Sequence, residues 1–345
     1  MKPLFHPSLV NGPFDDPGLY IDFLFEKRAI LFDLGDLHAL PARKILRVSQ
    51  VFVSHTHMDH FIGFDQMIRV LLNREKQLQL FGPPGFIEQV EHRLASYTWN
   101  LVDAFTAEFS IVATEFDGEE LRSARFRCRN RFVREGETGS PITDGILLDE
   151  ETFRVRGAVL DHRIPCLAFT LEEKHHVNIM KNRLLERGYR VGPWLTELKT
   201  AVLRGDPDDG PFHVWWRDGG ESSERIIPLG TLKEELLHIV AGQKISYITD
   251  AAPSEANARR IIELARASDY LFIEAMFLGR DEERAIEKHH LTARQAGFLA
   301  REAGAVRVIP FHLSPKYTGQ GEELLREVEE AFGGQVARRE RISSL

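Results

Sequence analysis

The stretch VSHTHMDHFIGF, Val53–Phe64, places three histidines and an aspartate within six positions: His55, His57, Asp59 and His60. It follows directly on an apolar run, VSQVFVSH (Val48–His55). Such a run, bounded by polar residues, predicts a buried strand. Residues two apart at a strand end point to one side, so His55 and His57 present their imidazoles together. Asp59 and His60 then fall where the chain turns into the next helix. Imidazole with carboxylate suits zinc, manganese or iron. One tetrahedral ion does not call for all four side chains, whereas two ions roughly 3.5–4 Å apart do. The whole chain has fourteen histidines. Three of them in one turn mark a candidate metal centre rather than an ordinary polar loop.

The rest of the composition sets bounds on that reading. The chain has 345 residues, 43% hydrophobic and 28% charged, which excludes disordered and fibrous classes. It shows no 20–50-residue repeat, which removes solenoids. The N-terminus, MKPLFHPSLVNGPFDDPG, has no apolar secretory core, and no apolar run approaches a membrane span. Two cysteines, Cys128 and Cys166, are too few for a disulfide framework or a cysteine zinc site. A cytoplasmic protein without a membrane partner is expected. The net charge of −8 disfavours nucleic acid in bulk, so a polyanionic substrate needs a local basic surface.

Strands predominate before the middle of the chain. YIDFLFEKRAILFDLG (Tyr20–Gly35) reads as a strand pair, FDQMIRVLL (Phe64–Leu72) has helical spacing, and QLQLFGPPGF ends a strand in a Gly/Pro turn. ARFRCRNRF (Ala124–Phe132) alternates arginine with Phe, Cys and Asn, as a strand with a basic face would. That stripe reads as an RNA surface or as a solvated face paired with acids, and the second is preferred. The segment Lys174–Arg204 has seven Lys/Arg against two Glu, net +5 in an acidic chain. Strands and helices then alternate: KISYITD, a helix capped by Ser254, YLFIEA, a helix between Thr292 and Gly304, AVRVIPFHLS and a final amphipathic helix. This pattern predicts a layered α/β (α+β) domain over residues 1–345, with the basic segment, 170–205, as an insertion.

A two-metal site needs further ligands at strand ends. His162, in VLDHRIPCLAF, Asp250, ending KISYITD, and His312, after RVIPF, are the candidates. The ordered set HxHxDH, distant His, Asp, His resembles the metallo-β-lactamase superfamily. That resemblance implies a four-layer αβ/βα sandwich with two divalent ions at one edge of its sheets. Zinc is the expected ion, with manganese or iron as alternatives. By the superfamily pattern His55, His57 and His162 hold one ion, Asp59, His60 and His312 the other, and Asp250 bridges them.

Narrower features are similar to ribonuclease Z. EAMFLGRDEERAIEKHHLTARQAGFLA (Glu274–Ala300) matches its Glu-Ala and His-x-Thr-Ala-x-x-Ala signature, with His290 as the motif histidine, Glu274 its carboxylate partner, and Thr292, Ala293 and Ala296 following. LDHRIPCLAFTLEE and PFHLSPKY are similar to two further stretches, the second with Lys316 where the family has arginine. Gly192-Pro193 matches the Gly-Pro of the family's tRNA-gripping arm. Lys181, Arg183, Arg187 and Arg190 are then the phosphate contacts. The chain departs from the family in its N-terminal loop, NGPFDDPGLY, where Asp15 and Asp16 replace basic residues. It departs again at Thr249-Asp250-Ala251 and Ala168-Phe169.

The resemblance implies a ribonuclease Z-like endonuclease acting on RNA, with tRNA 3′-end processing as its expected form. Water activated to hydroxide by the ion pair attacks a phosphodiester. Asp59 orients it or takes its proton, and His290, held by Glu274, stabilises the developing charge or protonates the leaving oxygen. Asp33 and Asp161 are candidates to orient the histidines. A small-molecule or cyclic-nucleotide phosphodiesterase is the alternative reading, and an RNA-binding module with a vestigial site a further one. A homodimer is implied by the family.

Overall fold

Eight strands succeed one another along the chain and lie side by side in the same order: β1 (Phe5–Leu9), β2 (Leu19–Phe23), β3 (Ala29–Phe32), β4 (Val48–Phe52), β5 (Lys76–Gly82), β6 (Phe109–Phe116), β7 (Glu120–Arg127) and β8 (Arg134–Pro141). These come from a computed structural model that describes residues 4–24, 26–218, 221–334 and 336. The outer pairs are antiparallel, and β3 to β6 run parallel. Parallel strands are covered on both faces, which is why β3 reads AILF and all four of its residues are buried. Ala29 and Leu31 join Leu78 and Leu80 beneath the helices Phe64–Leu71 and Phe86–Ala95, which supply Phe64, Met67, Phe86 and Val90 to the same core.

After β8 come β9 (Ile146–Asp149), β10 (Phe153–Asp161) and β11 (Pro165–Glu173). Then follow β12 (His175–Ile179), β13 (Pro211–Asp218), β14 (Glu221–Pro228) and β15 (Leu237–Ala241), and last β16 (Lys244–Ile248), β17 (Tyr270–Glu274) and β18 (Val308–Phe311). The chain groups into two compact units. One contains the residues up to Leu147, Val155–Leu171 and those from Lys244 onward, and the other Leu148–Arg154 with Glu172–Gln243.

The second sheet has the order β18-β17-β16-β11-β10-β9, with β16, β17 and β18 parallel. Leu271 and Ile273 of β17 pack with Ile261, Leu299 and Val328 from the helices Glu255–Leu264, Ala293–Glu302 and Gly321–Phe332. The caps read from the sequence are formed: Ser254 accepts from Asn257 N, and Thr292 and Gln295 make a capping box. At Gly297 a Cβ would stand 2.4 Å from Val328 O, so only glycine allows the last two helices to approach this closely.

Between the sheets lies an aromatic layer. Phe32 stacks 5.5 Å from Phe169 and 5.6 Å from Tyr247, while Phe52 packs 4.7 Å from Phe81. Helices, sheet, sheet and helices make the four-layer αβ/βα sandwich expected of the sequence.

The arginine alternation is a strand only as far as Arg127. Cys128–Asn130 forms a single 3-10 turn because Arg131 and Phe132 adopt left-handed φ, 51° and 55°. Arg127 pairs with Glu135, Arg129 with Glu108 and Arg131 with Asp103, each at 3.2 Å. This is a solvated, acid-paired face.

In the other unit β12 pairs antiparallel with β15, and β13 with β14. Helices Lys181–Glu186, Trp194–Arg204 and Leu229–Leu236 enclose a core of Leu184, Trp194, Leu198, Val214, Leu232 and Leu236. Lys181, Arg183, Arg187 and Arg190 are all exposed here, with Arg187 3.1 Å from Glu235.

Candidate metal centre

The functional side chains stand where strands end. Asp33 follows β3, His55 and His57 follow β4, and His162 follows β10. Asp250 lies two residues beyond β16, Glu274 is the last residue of β17, and His312 follows β18. Parallel sheets bind ligands at the carboxyl ends of their strands, where the chain leaves the ladder and side chains are free to converge. Asp33 and His312 hold left-handed φ of 58° and 53°, which turns the chain sharply there. Asp59 and His60 lie on the short helix Met58–Phe61.

Candidate ligand atoms converge in three overlapping groups, each within 4.8 Å: His55, His57, His162 and Asp250; Asp59, His60 and His312; and Asp250, Glu274, His290 and His312. Asp250 Oδ2 is 3.3 Å from His162 Nε2 and 3.6 Å from both His55 Nε2 and His60 Nε2. Its other oxygen is 2.9 Å from His312 Nδ1. Asp59 Oδ2 lies 3.4 Å from His60 Nε2 and 3.2 Å from His312 Nε2. All seven expected ligands are therefore together, and Asp250 reaches members of both sets. The third group adds Glu274 and His290, which sequence reading places as a proton-shuttling pair.

The fit to a metal rests on unsatisfied nitrogens. His55 Nε2, His60 Nε2 and His312 Nδ1 are buried without a hydrogen-bond partner. His312 Nδ1 is held 2.9 Å from Asp250 Oδ1 as an ion pair. Buried polar atoms left unpaired are costly, and three around one carboxylate form a donor set that fits a cation.

Partners behind the imidazoles fix their tautomers. Asp33 Oδ2 is 2.9 Å from His60 Nδ1, and it also accepts from Ser54 Oγ and Tyr247 OH, each at 2.9 Å. Asp33 Oδ1 accepts from Ser54 N at 2.6 Å. This holds His60 Nε2 toward the centre. His162 Nδ1 donates to His289 O at 2.8 Å. Asp161, read from the sequence as a candidate for that task, instead accepts from Arg163 N at 2.8 Å, closing the turn. Ser54 Oγ and Cys166 Sγ flank His55 Nδ1 at 3.1 and 3.6 Å. Ser54, Tyr247, Cys166 and the His289 carbonyl carried no signal in the sequence, since nothing in their spacing ties them to the cluster.

Burial and neighbouring charge tune the groups in opposite directions. Burial, then His60, pushes His55 down to about 2, and burial holds His57 low as well. Burial would also lower His312, but Asp250 outweighs it and raises that imidazole to about 9. Burial would raise Asp250, yet His312 and His60 hold it well below the usual carboxylate range. The buried aspartate is thus anionic and available to a cation.

No family model matches the chain. A curated ribonuclease Z from Deinococcus radiodurans is 31% identical over 307 residues, 88% of each chain. The chain belongs to the ribonuclease Z family. A ribonuclease Z from Methanothermobacter thermautotrophicus is 28% identical over 309 residues, 88% of this chain and 82% of the relative. In fold, the chain is similar to the crystal structure of the metallo-β-lactamase-fold protein YhfI from Bacillus subtilis, with TM-score 0.56 and 15% identity over 97% of this chain and 96% of that one.

The ribonuclease Z signature is assembled in space. Glu274, fully buried, is 2.9 Å from His290 Nδ1 and accepts from Ala251 N at 2.7 Å and Leu291 N at 3.3 Å. Nε2 is then the ring atom left for chemistry, and the ring lies 4.8 Å from that of His162. Lys316, where the family has arginine, bonds Asp281 at 2.8 Å. Thr249 Oγ1 donates to Asp250 Oδ1 at 3.0 Å. The acidic N-terminal loop lies against this end of the fold. At Gly35 a Cβ would meet Pro17 O at 2.4 Å, Asp16 Cβ at 2.7 Å and Asp59 O at 2.8 Å, and Leu313 N donates to Pro13 O at 2.7 Å. Among the described residues, no helix is long and apolar enough to cross a membrane.

Proposed function

We propose that this ribonuclease Z family chain is a metal-dependent phosphodiester hydrolase that cuts RNA, with 3′-extended tRNA as its substrate. Two divalent cations, zinc in the first instance, are the cofactors. The observation that carries this reading is the buried Asp250 carboxylate within 3.6 Å of His55, His60, His162 and His312, with the Glu274–His290 pair beside it. His55, His57 and His162 would hold one cation, Asp59, His60 and His312 the other, with Asp250 shared.

When bound, such cations supply Lewis acidity toward the phosphoryl oxygens and a water acidified to near neutrality. The chain's own groups do the remaining work. Asp59, 44% exposed, faces the open side and can accept a proton from the attacking water. Glu274 fixes the His290 tautomer, so that Nε2 can carry a proton to the leaving oxygen. Water attack at phosphorus leaves a 3′-hydroxyl and a 5′-phosphate.

The basic segment 170–205, with exposed Lys181, Arg183, Arg187 and Arg190, is the RNA-gripping insertion of an otherwise single catalytic domain. A second reading, a small-molecule phosphodiesterase, is favoured by the acidic loop carrying Asp15 and Asp16 at the end of the fold where Asp59 lies, since carboxylates repel a polyanion. Metal analysis of the purified protein, with parallel assays on 3′-extended tRNA and bis(p-nitrophenyl) phosphate, separates the two. Hydrolysis of the small diester with the tRNA left intact would select the second.

A further inference from the structure

Met58 and Ile62 are 76% and 44% exposed. They stand four residues apart, on one face of the turn that carries Asp59 and His60. Single exposed apolar residues are ordinary on a protein surface. These two differ in where they stand. His57 is exposed whereas His55, His60 and His162 are buried, so the centre opens on the His57 side, and Met58 is the next residue. Asp59 is next to Met58 in the chain and three residues before Ile62, which helical spacing makes its surface neighbour, and it is itself partly exposed. Ile164, 39% exposed, leaves the turn after His162, whose ring is 5.4 Å from that of His57. Apolar side chains thus border the mouth of an otherwise polar centre.

We propose that Met58 and Ile62 form an apolar ledge that takes the face of an unpaired nucleobase next to the scissile phosphodiester, and so select single-stranded RNA at the cut. The inference rests on the hydrolase reading above, because a phosphate held at the centre is what brings the adjoining base to the ledge. Every base has an apolar π-face, so such a contact is tolerant of sequence. The unbranched, polarisable methionine adapts to purine and pyrimidine alike. A base inside a duplex keeps its faces stacked and cannot be presented in this way. The ledge therefore reads the state of the strand and not its sequence.

The test is a cycle of enzyme and substrate changes. A single-site RNA is compared with the same RNA made abasic on the 5′ or the 3′ side of the cut. Each is assayed with the wild-type protein, Met58→Ser/Ile62→Ser and Met58→Leu, and kcat/KM is referred to that for bis(p-nitrophenyl) phosphate in the same preparation. Loss of one base should raise KM about tenfold for the wild type and for Met58→Leu, with kcat little changed. For the double variant the same loss should change KM less than about twofold, because the ledge is already gone. Additive losses would overturn the proposal. So would a changed sedimentation coefficient in the double variant, which would mark this face as an interface between copies. Wild-type protein that hydrolyses the diester but cuts no RNA would remove the RNA reading and the ledge together, whereas RNA cleavage with additive losses removes the ledge alone.

Discussion

Glu274 and His290 are bound through Oε2 and Nδ1 at 2.9 Å, with the Glu274 side chain fully buried and the His290 ring at the edge of the histidine cluster. Two further backbone N–H groups, of Ala251 and Leu291, fill the other carboxylate oxygen. The pair therefore has one geometry, and His290 can be tested as a group that touches the reacting atoms without carrying the metal. His290→Ala is expected to lower kcat by about 10²–10⁴-fold, the usual range for a positioned acid or base. Metal content by atomic absorption should stay at the wild-type level. Full activity in this variant would exclude a proton-transfer role.

Asp33 makes a complementary prediction. It supports His60 from behind through a network with Ser54 and Tyr247 and lies outside the ligand set. Asp33→Asn should weaken metal affinity by about 10–100-fold, the range seen for partners of ligating histidines. A competition titration against a chelator measures it. Unchanged affinity would mean that His60 is oriented by packing alone.

Removal of metal should be felt in stability as well as in activity. The chelated protein leaves buried nitrogens of His55, His60 and His312 without a hydrogen-bond partner. A cation that binds only the folded chain stabilises it by mass action. The melting temperature should fall on chelation and recover when zinc is restored, in step with diester hydrolysis. A melting temperature indifferent to metal would argue that these groups hold none.

The exposed basic residues of the second unit should act on affinity and not on chemistry. Replacing Lys181, Arg183, Arg187 and Arg190 with alanine should weaken RNA binding and flatten the dependence of log affinity on log salt by roughly three units, since each phosphate no longer neutralised lowers the slope by about 0.7–0.9. Hydrolysis of bis(p-nitrophenyl) phosphate should be unaffected. An unaltered salt slope would remove these residues from the RNA-binding surface.

Away from the site, Asp65 supplies a test of the fold's electrostatics. It accepts from Arg93 Nε at 2.8 Å, tying helix Phe64–Leu71 to helix Phe86–Ala95. Burial alone would raise its carboxyl, but hydrogen bonds from Arg93 and Tyr97 outweigh that and hold it below the usual carboxylate value. A carboxyl lowered on folding stabilises the protein above its unfolded pKa and ceases to do so as the pH falls through the folded one. Asp65→Asn should therefore cost under ~1 kcal/mol at pH 7, this being a partly exposed pair. The difference should close as the solution is acidified below the carboxylate range. Thermal melts of both proteins across that range are the measurement, and a constant gap would assign the cost to packing.

Local pattern determined much of this protein. The apolar run Val48–His55 predicted a buried strand, and the strand formed is Val48–Phe52, buried except at Ser49. The caps Ser254 and Thr292 had to start helices, and they do. HTHMDH could bring its ligand atoms to one point or to two adjacent points, because it packs four of them within six positions. Those features depend on neighbours within a few positions, which a sequence displays directly. The supports of the centre depend on residues far apart in the chain. Tyr247 meets Asp33 across 214 positions, and the His289 carbonyl meets His162 across 127. Asp161 could be read from the sequence as a support for a histidine or as a turn residue, and the course of the turn gives its carboxylate to Arg163 N. The same holds for the arginine stripe, where periodicity placed the charges outward but tertiary packing chose Glu135, Glu108 and Asp103 as their partners. Side-chain type and spacing settle which groups can bind a cation. The packing of two sheets settles which groups stand behind them, because that depends on where distant strands end once the core has closed.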